Sequence, residues 1–158
     1  VNRLDQLRAA WATWIKAEGA TKNGSIEALL ELRERLEKIL HAGWHDDQAF
    51  EHALQDAFET AINGAGSRVA ELLSLHLDGL LTKETGPQIL ARLMTLFRHL
   101  QGKENFEQLH RSLLARRLIA GNFNRSTEMA FIKLLREECG AAYVSRMEAM
   151  FKDLEASQ

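Results

Sequence analysis

The chain has 158 residues and a mass of 17.9 kDa, which is the size of one globular domain or of one domain and part of another. Its apolar residues are dominated by 25 Leu and 21 Ala against 3 Val, 7 Ile and 1 Tyr, a composition that favours helices over sheets. The net charge of −2 creates no field that would attract nucleic acid or an anionic membrane, and the longest run without Asp, Glu, Lys or Arg has only eight residues, far short of a membrane span.

The glycines indicate where helices end. Glycine is favoured just past a helix end because it adopts the left-handed conformation without a Cβ clash. Apolar residues recur every three or four positions between the glycines, and no segment alternates with period two. The sequence therefore predicts an all-α fold of eight amphipathic helices. Nine of the ten glycines are expected to separate helices, and only Gly79 lies inside one; the nine are Gly19, Gly24, Gly43, Gly64, Gly66, Gly86, Gly102, Gly121 and Gly140.

Five helices are predicted in the first two thirds of the chain. Ser25 is the expected N-cap of the second, two acids (Asp46 and Asp47) begin the third, and Pro87 lies in the first turn of the fifth, where its missing N–H costs nothing. The apolar stripes run through Leu4–Ile15, Ile26–Leu40, Phe50–Ile62, Val69–Leu80 and Ile89–Leu100.

Three more helices are predicted after Gly102. Their apolar stripes run through Phe106–Leu118, Phe131–Cys139 and Val144–Leu154, and Ser126 or Asn124 is expected to cap the second of them. Gly140 lies directly between two predicted helices with no loop residues beside it. We therefore expect it to have the positive φ that is common just past a helix end. Cys139, at a helix C-terminus, is expected to be a buried apolar residue because a reactive thiol prefers a helix N-terminus and a nearby base.

Three histidines allow a metal-site hypothesis. His41 and His45 are four residues apart, the spacing of two ligands on one helix face, and His52 lies nearby. However, Gly43 is expected to end the helix between the first two, and no Glu follows His41 as the zinc-protease motif requires. We therefore interpret them as residues near a helix end, with a metal-binding enzyme using all three as the alternative.

The chain has one local cluster of basic residues. We expect these residues to form a solvated face or to complement the negative end of a helix dipole. The alternative is that they bind an acidic segment of a partner protein. The cluster comprises Arg111, Arg116, Arg117 and Arg125. No Ser/His/Asp set, paired carboxylates or phosphate loop is recognisable. The sequence therefore predicts no catalytic residue, no cofactor-binding residue and no metal ligand, and hence a protein that is not an enzyme.

An ordered set of short motifs resembles the cullin family, the scaffolds of RING-type ubiquitin ligases. The segments are Lys103-Glu104-Asn105-Phe106, Leu114-Ala115-Arg116-Arg117-Leu118, Cys139-Gly140-Ala141-Ala142-Tyr143 and Met150-Phe151-Lys152-Asp153. Cullins have K-D-x-F, L-A-K/R-R-L, C-G-x-x-F/Y and M-F-x-D in the same order. An unrelated helical adaptor would share the amphipathic stripes without these motifs in order.

The resemblance implies a division of the chain. Residues 1–102 would be the last five-helix cullin repeat, and residues 103–158 the beginning of the four-helix bundle that follows. It also implies an intracellular scaffold in the cytoplasm or nucleus, without catalysis, cofactor or metal of its own. This scaffold would connect a substrate receptor to a RING protein, both of which bind outside these residues. We further expect self-association, because Met147, Met150, Phe151 and Leu154 would lack partners in an incomplete bundle.

Overall fold

The computed structural model describes residues 3–157 and confirms the all-α prediction. Helices account for 82% of these residues, and no strand occurs among them. The eight helices, in chain order, are α1 (Arg3–Lys22), α2 (Ile26–Gly43), α3 (Gln48–Asn63), α4 (Arg68–Leu80), α5 (Pro87–Phe97), α6 (Lys103–Ala120), α7 (Arg125–Cys139) and α8 (Ala141–Ala156).

Side-chain caps fix several of the helix starts, and the sequence predicts those of α2 and α7. Ser25 Oγ accepts a hydrogen bond from the Ala28 amide at 3.2 Å, and Asp47 Oδ1 accepts from two amides at the start of α3. Asn124, rather than Ser126, is the N-cap of α7, since its Oδ1 accepts from the Thr127 amide at 3.0 Å. Each cap satisfies an amide that has no partner within its own helix.

Gly140 joins α7 directly to α8 and has the predicted positive φ. Its backbone angles are φ 95° and ψ 168°, and its amide donates to the Arg136 carbonyl at 2.7 Å. This is not the left-handed helical region but a region that is essentially restricted to glycine. A glycine is therefore required here by backbone conformation alone, because a Cβ at this position would meet no neighbouring atom within 4 Å.

The chain packs as two compact units. Unit 1 contains the described residues up to Leu72 together with His99–Gln101, and unit 2 contains Leu73–Arg98 together with the described residues from Gly102 onward. Helix α4 thus contributes residues to both. The two units are defined by packing and do not correspond to the predicted domains, which are a cullin repeat up to Gly102 and a helical bundle after it. The predicted boundary at Gly102 stays a prediction.

Unit 1 is built on the contact between α1 and α3. Its core consists of fully buried aliphatic and aromatic side chains from α1, α2 and α3, chiefly Ile15, Leu29, Leu36, Leu54, Phe58 and Ile62. A second group of aromatic rings joins the same helices, with Trp44 stacked on Phe50 at 4.0 Å between centroids and Trp11 tilted against both.

The prediction that Gly19 ends the first helix is wrong. Helix α1 continues to Lys22, and Gly19 is buried within it. A Cβ placed on Gly19 would overlap the Cβ of Ala61 on α3. This glycine therefore permits two helix backbones to approach closely, a role that single-sequence patterns do not distinguish from helix termination.

Replacing Gly19 with alanine should destabilise unit 1 by about 1–3 kcal/mol through overpacking, although alanine is the better helix former. The double variant Gly19→Ala/Ala61→Gly should recover part of this loss, because it moves the methyl group from one helix to the other. Gly79→Ala is the control: nothing lies within 4 Å of a Cβ there, so it should stabilise by about 1 kcal/mol. Urea denaturation measures these three variants and the single variant Ala61→Gly, and additive effects of Gly19→Ala and Ala61→Gly in the double variant would contradict the explanation.

Unit 2 contains the rest of α4 and helices α5 to α8. Its core consists of side chains that are at most 3% exposed, including Phe97, Phe106, Phe131, Leu135, Val144, Met147 and Phe151. The rings of Phe97 and Phe106 meet edge to face, with centroids 5.2 Å apart. The expectation of unpartnered residues on α8 is therefore wrong for Met147 and Phe151, whereas Met150 and Leu154 are partly exposed.

Candidate functional site

The strongest buried electrostatic interaction in unit 2 centres on Arg117, near the end of α6. Its side chain is 4% exposed and forms two hydrogen bonds with Glu128 of α7, from Nη2 to Oε1 at 2.9 Å and from Nε to Oε2 at 3.0 Å. The remaining terminal nitrogen, Nη1, donates to Asp78 Oδ1 of α4 at 2.7 Å. One guanidinium thereby joins three helices.

Burial and Arg117 act on the carboxyl group of Glu128 in opposite directions, and burial has the larger effect. Burial raises the pKa of Glu128, and the hydrogen bonds and positive charge of Arg117 oppose that shift. A carboxylate whose two oxygens are both occupied by a guanidinium is poorly placed to act as an acid or base. The interpretation of the local arginines as a solvated face is therefore wrong for Arg117, whereas Arg116 is exposed.

His110, one turn from Leu114 on α6, is buried without charge. Its ring stacks on Phe106 and meets the edge of Phe131, with centroids 5.8 and 5.1 Å away. Burial, with a smaller contribution from the charge of Arg117, lowers the pKa of His110 to about 3. The imidazole is therefore neutral at pH 7 and behaves as an aromatic core residue, not as a proton carrier.

In unit 1, Asn63 binds the segment His99–Gln101 to α3. Its Nδ2 donates to the His99 carbonyl and to the Glu59 carbonyl, each at 2.8 Å, and its Oδ1 accepts from the Gln101 amide at 3.0 Å. The His99 ring accepts a hydrogen bond from Arg33 Nε at 3.2 Å and packs against Phe58. These contacts link the segment His99–Gln101 to α2 and α3 through specific hydrogen bonds.

The three histidines of the metal hypothesis do not converge. His41 Nδ1 lies 2.8 Å from Asp46 Oδ2 at the end of α2, and both side chains are exposed. His45 is exposed in the loop after α2, with a φ of 50°, and His52 is exposed on α3. Among residues 3–157, no group of three or more His, Cys, Asp or Glu side chains is arranged to hold a metal ion.

Cys139 lacks the lowered pKa of a nucleophilic thiol. The side chain is partly buried, and this burial raises the pKa of its thiol, so the thiolate is disfavoured at neutral pH. Reactive cysteines show the opposite shift.

Two of the motifs singled out in the sequence meet in unit 2. Tyr143, the last residue of the Cys-Gly motif, donates its hydroxyl proton to the carbonyl oxygen of Lys103, the first residue of α6, at 2.5 Å. Lys103 Nζ lies 5.5 Å from the centroid of the Phe97 ring and 3.3 Å from the Arg98 carbonyl. These motif residues hold the start of α6 to the start of α8, so their contribution is structural.

The comparison with protein families agrees with this arrangement. Residues 1–158, the whole chain, match the model of the cullin alpha solenoid domain. The chain belongs to the cullin family. None of the helices within residues 3–157 combines the length and the hydrophobicity of a membrane span.

Individual cullins are similar across most of the chain. Cullin-4A of Mus musculus is 31% identical over 94% of this chain, and cullin-3A of Arabidopsis thaliana is 34% identical over 84% of it. Cullin-4 of Dictyostelium discoideum is 29% identical over 99% of it. The matched regions cover 22%, 19% and 21% of these three relatives, so the chain corresponds to about a fifth of their length.

Proposed function

We propose that this cullin segment is a non-catalytic scaffold of a ubiquitin ligase, which connects the substrate-receptor end of the full-length protein to its RING end. The main support for the proposal is that polar side chains in the interior form contacts within the fold instead of facing a substrate site. Arg117, Glu128 and Asn63 are engaged in contacts between helices or between a helix and a loop, and His110 is neutral in the core. Groups arranged in this way maintain shape and leave little chemistry available for a substrate.

A scaffold of this kind must resist deformation, because ubiquitin transfer requires the reacting groups to be held close together. Well-packed helices with short connections suit that requirement, and Gly140 provides the shortest of them here, a single residue between α7 and α8. The expected partners are the receptor and the RING protein of the ligase, which contact other parts of the full-length chain, and the expected location is the cytoplasm or nucleus.

The proposal is tested by loosening the segment within the full-length parent cullin. Six Gly-Ser residues inserted after Gln101 should leave receptor and RING binding unchanged but reduce ubiquitin transfer on the order of tenfold or more. The same insertion after His45, in an exposed loop of unit 1, is the control and should have little effect. Unchanged transfer after the first insertion would argue against the scaffold role.

Residues 1–158 alone provide a second control for that experiment. In a calorimetric titration with the cognate RING protein, they should show no binding at micromolar concentrations. The resemblance to cullins implies that the RING protein docks by adding a strand to a sheet, and residues 3–157 contain no strand. Tight binding would mean that the segment contains a partner site that the proposal places elsewhere.

A further inference from the structure

The turn between α1 and α2 contains an asparagine followed by a glycine, Asn23 and Gly24. A hydrogen bond from the Ser25 amide to the Lys22 carbonyl, 3.1 Å long, closes this turn. The side chain of Asn23 makes no hydrogen bond with another residue of the range 3–157, and its polar atoms are not among those buried without a partner. The Asn23 amide is therefore free to rotate and remains in contact with solvent.

A second pair of the same composition, Asn63 and Gly64, has a different environment. The Asn63 amide is held by hydrogen bonds to the Glu59 and His99 carbonyls and from the Gln101 amide. Both polar atoms of that side chain are therefore fixed by the fold. The same dipeptide thus occurs once with its amide restrained and once without such contacts.

A positive charge lies beside the unrestrained pair. A Cβ built on Gly24 would come within 2.8 Å of Arg68 Nη2, so this guanidinium from the start of α4 lies against the backbone of the turn. Arg68 forms no ion pair with another described residue. Around Gly64, the atoms nearest to the same position are the carbonyl oxygens of Thr60 and Ala61, which carry partial negative charge. Negative charge on the backbone nitrogen is therefore favoured at Gly24 and opposed at Gly64.

We propose that Asn23 is a site of spontaneous deamidation, which Arg68 promotes electrostatically. The Gly24 nitrogen loses its proton to water and forms a bond to Cγ of Asn23, which the absence of a Cβ on glycine permits. The bond from Cγ to Nδ2 breaks, and Nδ2 takes up a proton and leaves as ammonia. The guanidinium stabilises the negative charge that develops on the attacking nitrogen and on the amide oxygen. Water then opens the resulting cyclic imide at one of its two carbonyls.

The two products change the turn in different ways. Opening at one carbonyl yields an aspartate at position 23, which keeps the course of the main chain. Opening at the other yields an isoaspartate, which lengthens the main chain between α1 and α2 by a methylene group. Both products add a negative charge next to Gly24, the residue that Arg68 contacts, so the uncompensated guanidinium gains an acidic neighbour.

Peptide mapping by mass spectrometry after incubation at neutral pH tests the proposal, in residues 1–158 and in the full-length parent cullin. Asn23 should convert to aspartate and isoaspartate at least about tenfold faster than Asn63, because the hydrogen bonds of Asn63 must be lost before its amide is attacked. In concentrated urea both pairs are unfolded, and the two rates should become similar.

Variants of Arg68 separate its charge from the effect of the sequence alone. Arg68→Gln should slow the reaction at Asn23 about fivefold and leave that at Asn63 unchanged, since a unit charge about 4 Å away in water contributes roughly that factor. Arg68→Lys keeps the charge and should retain most of the rate. Arg116→Gln, at an exposed arginine of unit 2, is the matched control and should change neither rate.

Gly24→Ala should abolish most of the reaction, and circular dichroism verifies that each variant is folded. Deamidation of Asn63 as fast as that of Asn23 in the folded protein would overturn the proposal. An Asn23 that stays intact in either protein, or a rate at Asn23 that Arg68→Gln does not change, would overturn it as well.

Discussion

Replacing Arg117 with methionine should lower the free energy of unfolding by about 3–5 kcal/mol at pH 7, because it leaves the buried Glu128 without its guanidinium partner. The carboxylate of Asp78, which Arg117 also binds, would then add like-charge repulsion. Chemical denaturation monitored by circular dichroism measures the change.

The double variant Arg117→Met/Glu128→Leu should recover most of this loss, since apolar side chains often replace a buried ion pair at little cost. Arg98→Met is the control, because Arg98 pairs with Glu138 at 2.5 Å but is 54% exposed, and an exposed pair contributes at most about 1 kcal/mol. Equal losses at Arg117 and Arg98 would show that burial of the pair is unimportant.

The second large effect is a dependence of stability on pH that originates in His110. The unfolded chain binds a proton on this imidazole below a pKa of about 6.5, whereas the folded chain resists protonation until about pH 3. The unfolded state therefore holds the extra proton within this window, and acidification from pH 6.5 toward pH 3 should destabilise the fold. The contribution is fully present above pH 6.5.

In wild type, unfolding lets His110 take up one proton between pH 4 and 6, and His110→Phe removes this uptake. The slope of the free energy of unfolding against pH in that range should therefore decrease by about 1.4 kcal/mol per pH unit relative to wild type. Phenylalanine keeps a ring against Phe106 and Phe131. His110→Gln is the companion variant: it should show the same reduced slope despite lower stability at pH 7. A slope that matches wild type in both variants would refute the assignment to His110.

The helices and their caps are predictable from the sequence because local chemistry decides them. Ser25 and Asn124 each accept a hydrogen bond from the amide three residues further on, so the partners are close together in the chain. Gly140 is predictable for a similar reason, since two apolar stripes meet there without a loop. The order of the short motifs also predicts the cullin family, and the family match over residues 1–158 confirms that prediction.

The roles of Gly19 and Arg117 are not predictable from local sequence, because they depend on residues of other helices. Gly19 is required by Ala61, and Arg117 is neutralised by Glu128 and Asp78 from other helices. A glycine in a helix and an arginine in a basic cluster have the same local pattern whether exposed or buried. His110 had no distinguishing signal, because a histidine on an amphipathic helix acquires its burial only from packing.

The hydrogen bonds of Asn63 also bear on how the chain ages chemically. Asn63 precedes Gly64, and asparagine before glycine deamidates readily because a following residue without Cβ lets its backbone nitrogen reach the side-chain amide carbon. That attack expels ammonia and forms a cyclic imide, which water then opens to a carboxylate. The resulting carboxylate could not donate to the carbonyls of Glu59 and His99. Folding restrains the amide from this reaction through the same contacts that the reaction would destroy, so each event of local opening exposes unit 1 to irreversible covalent damage.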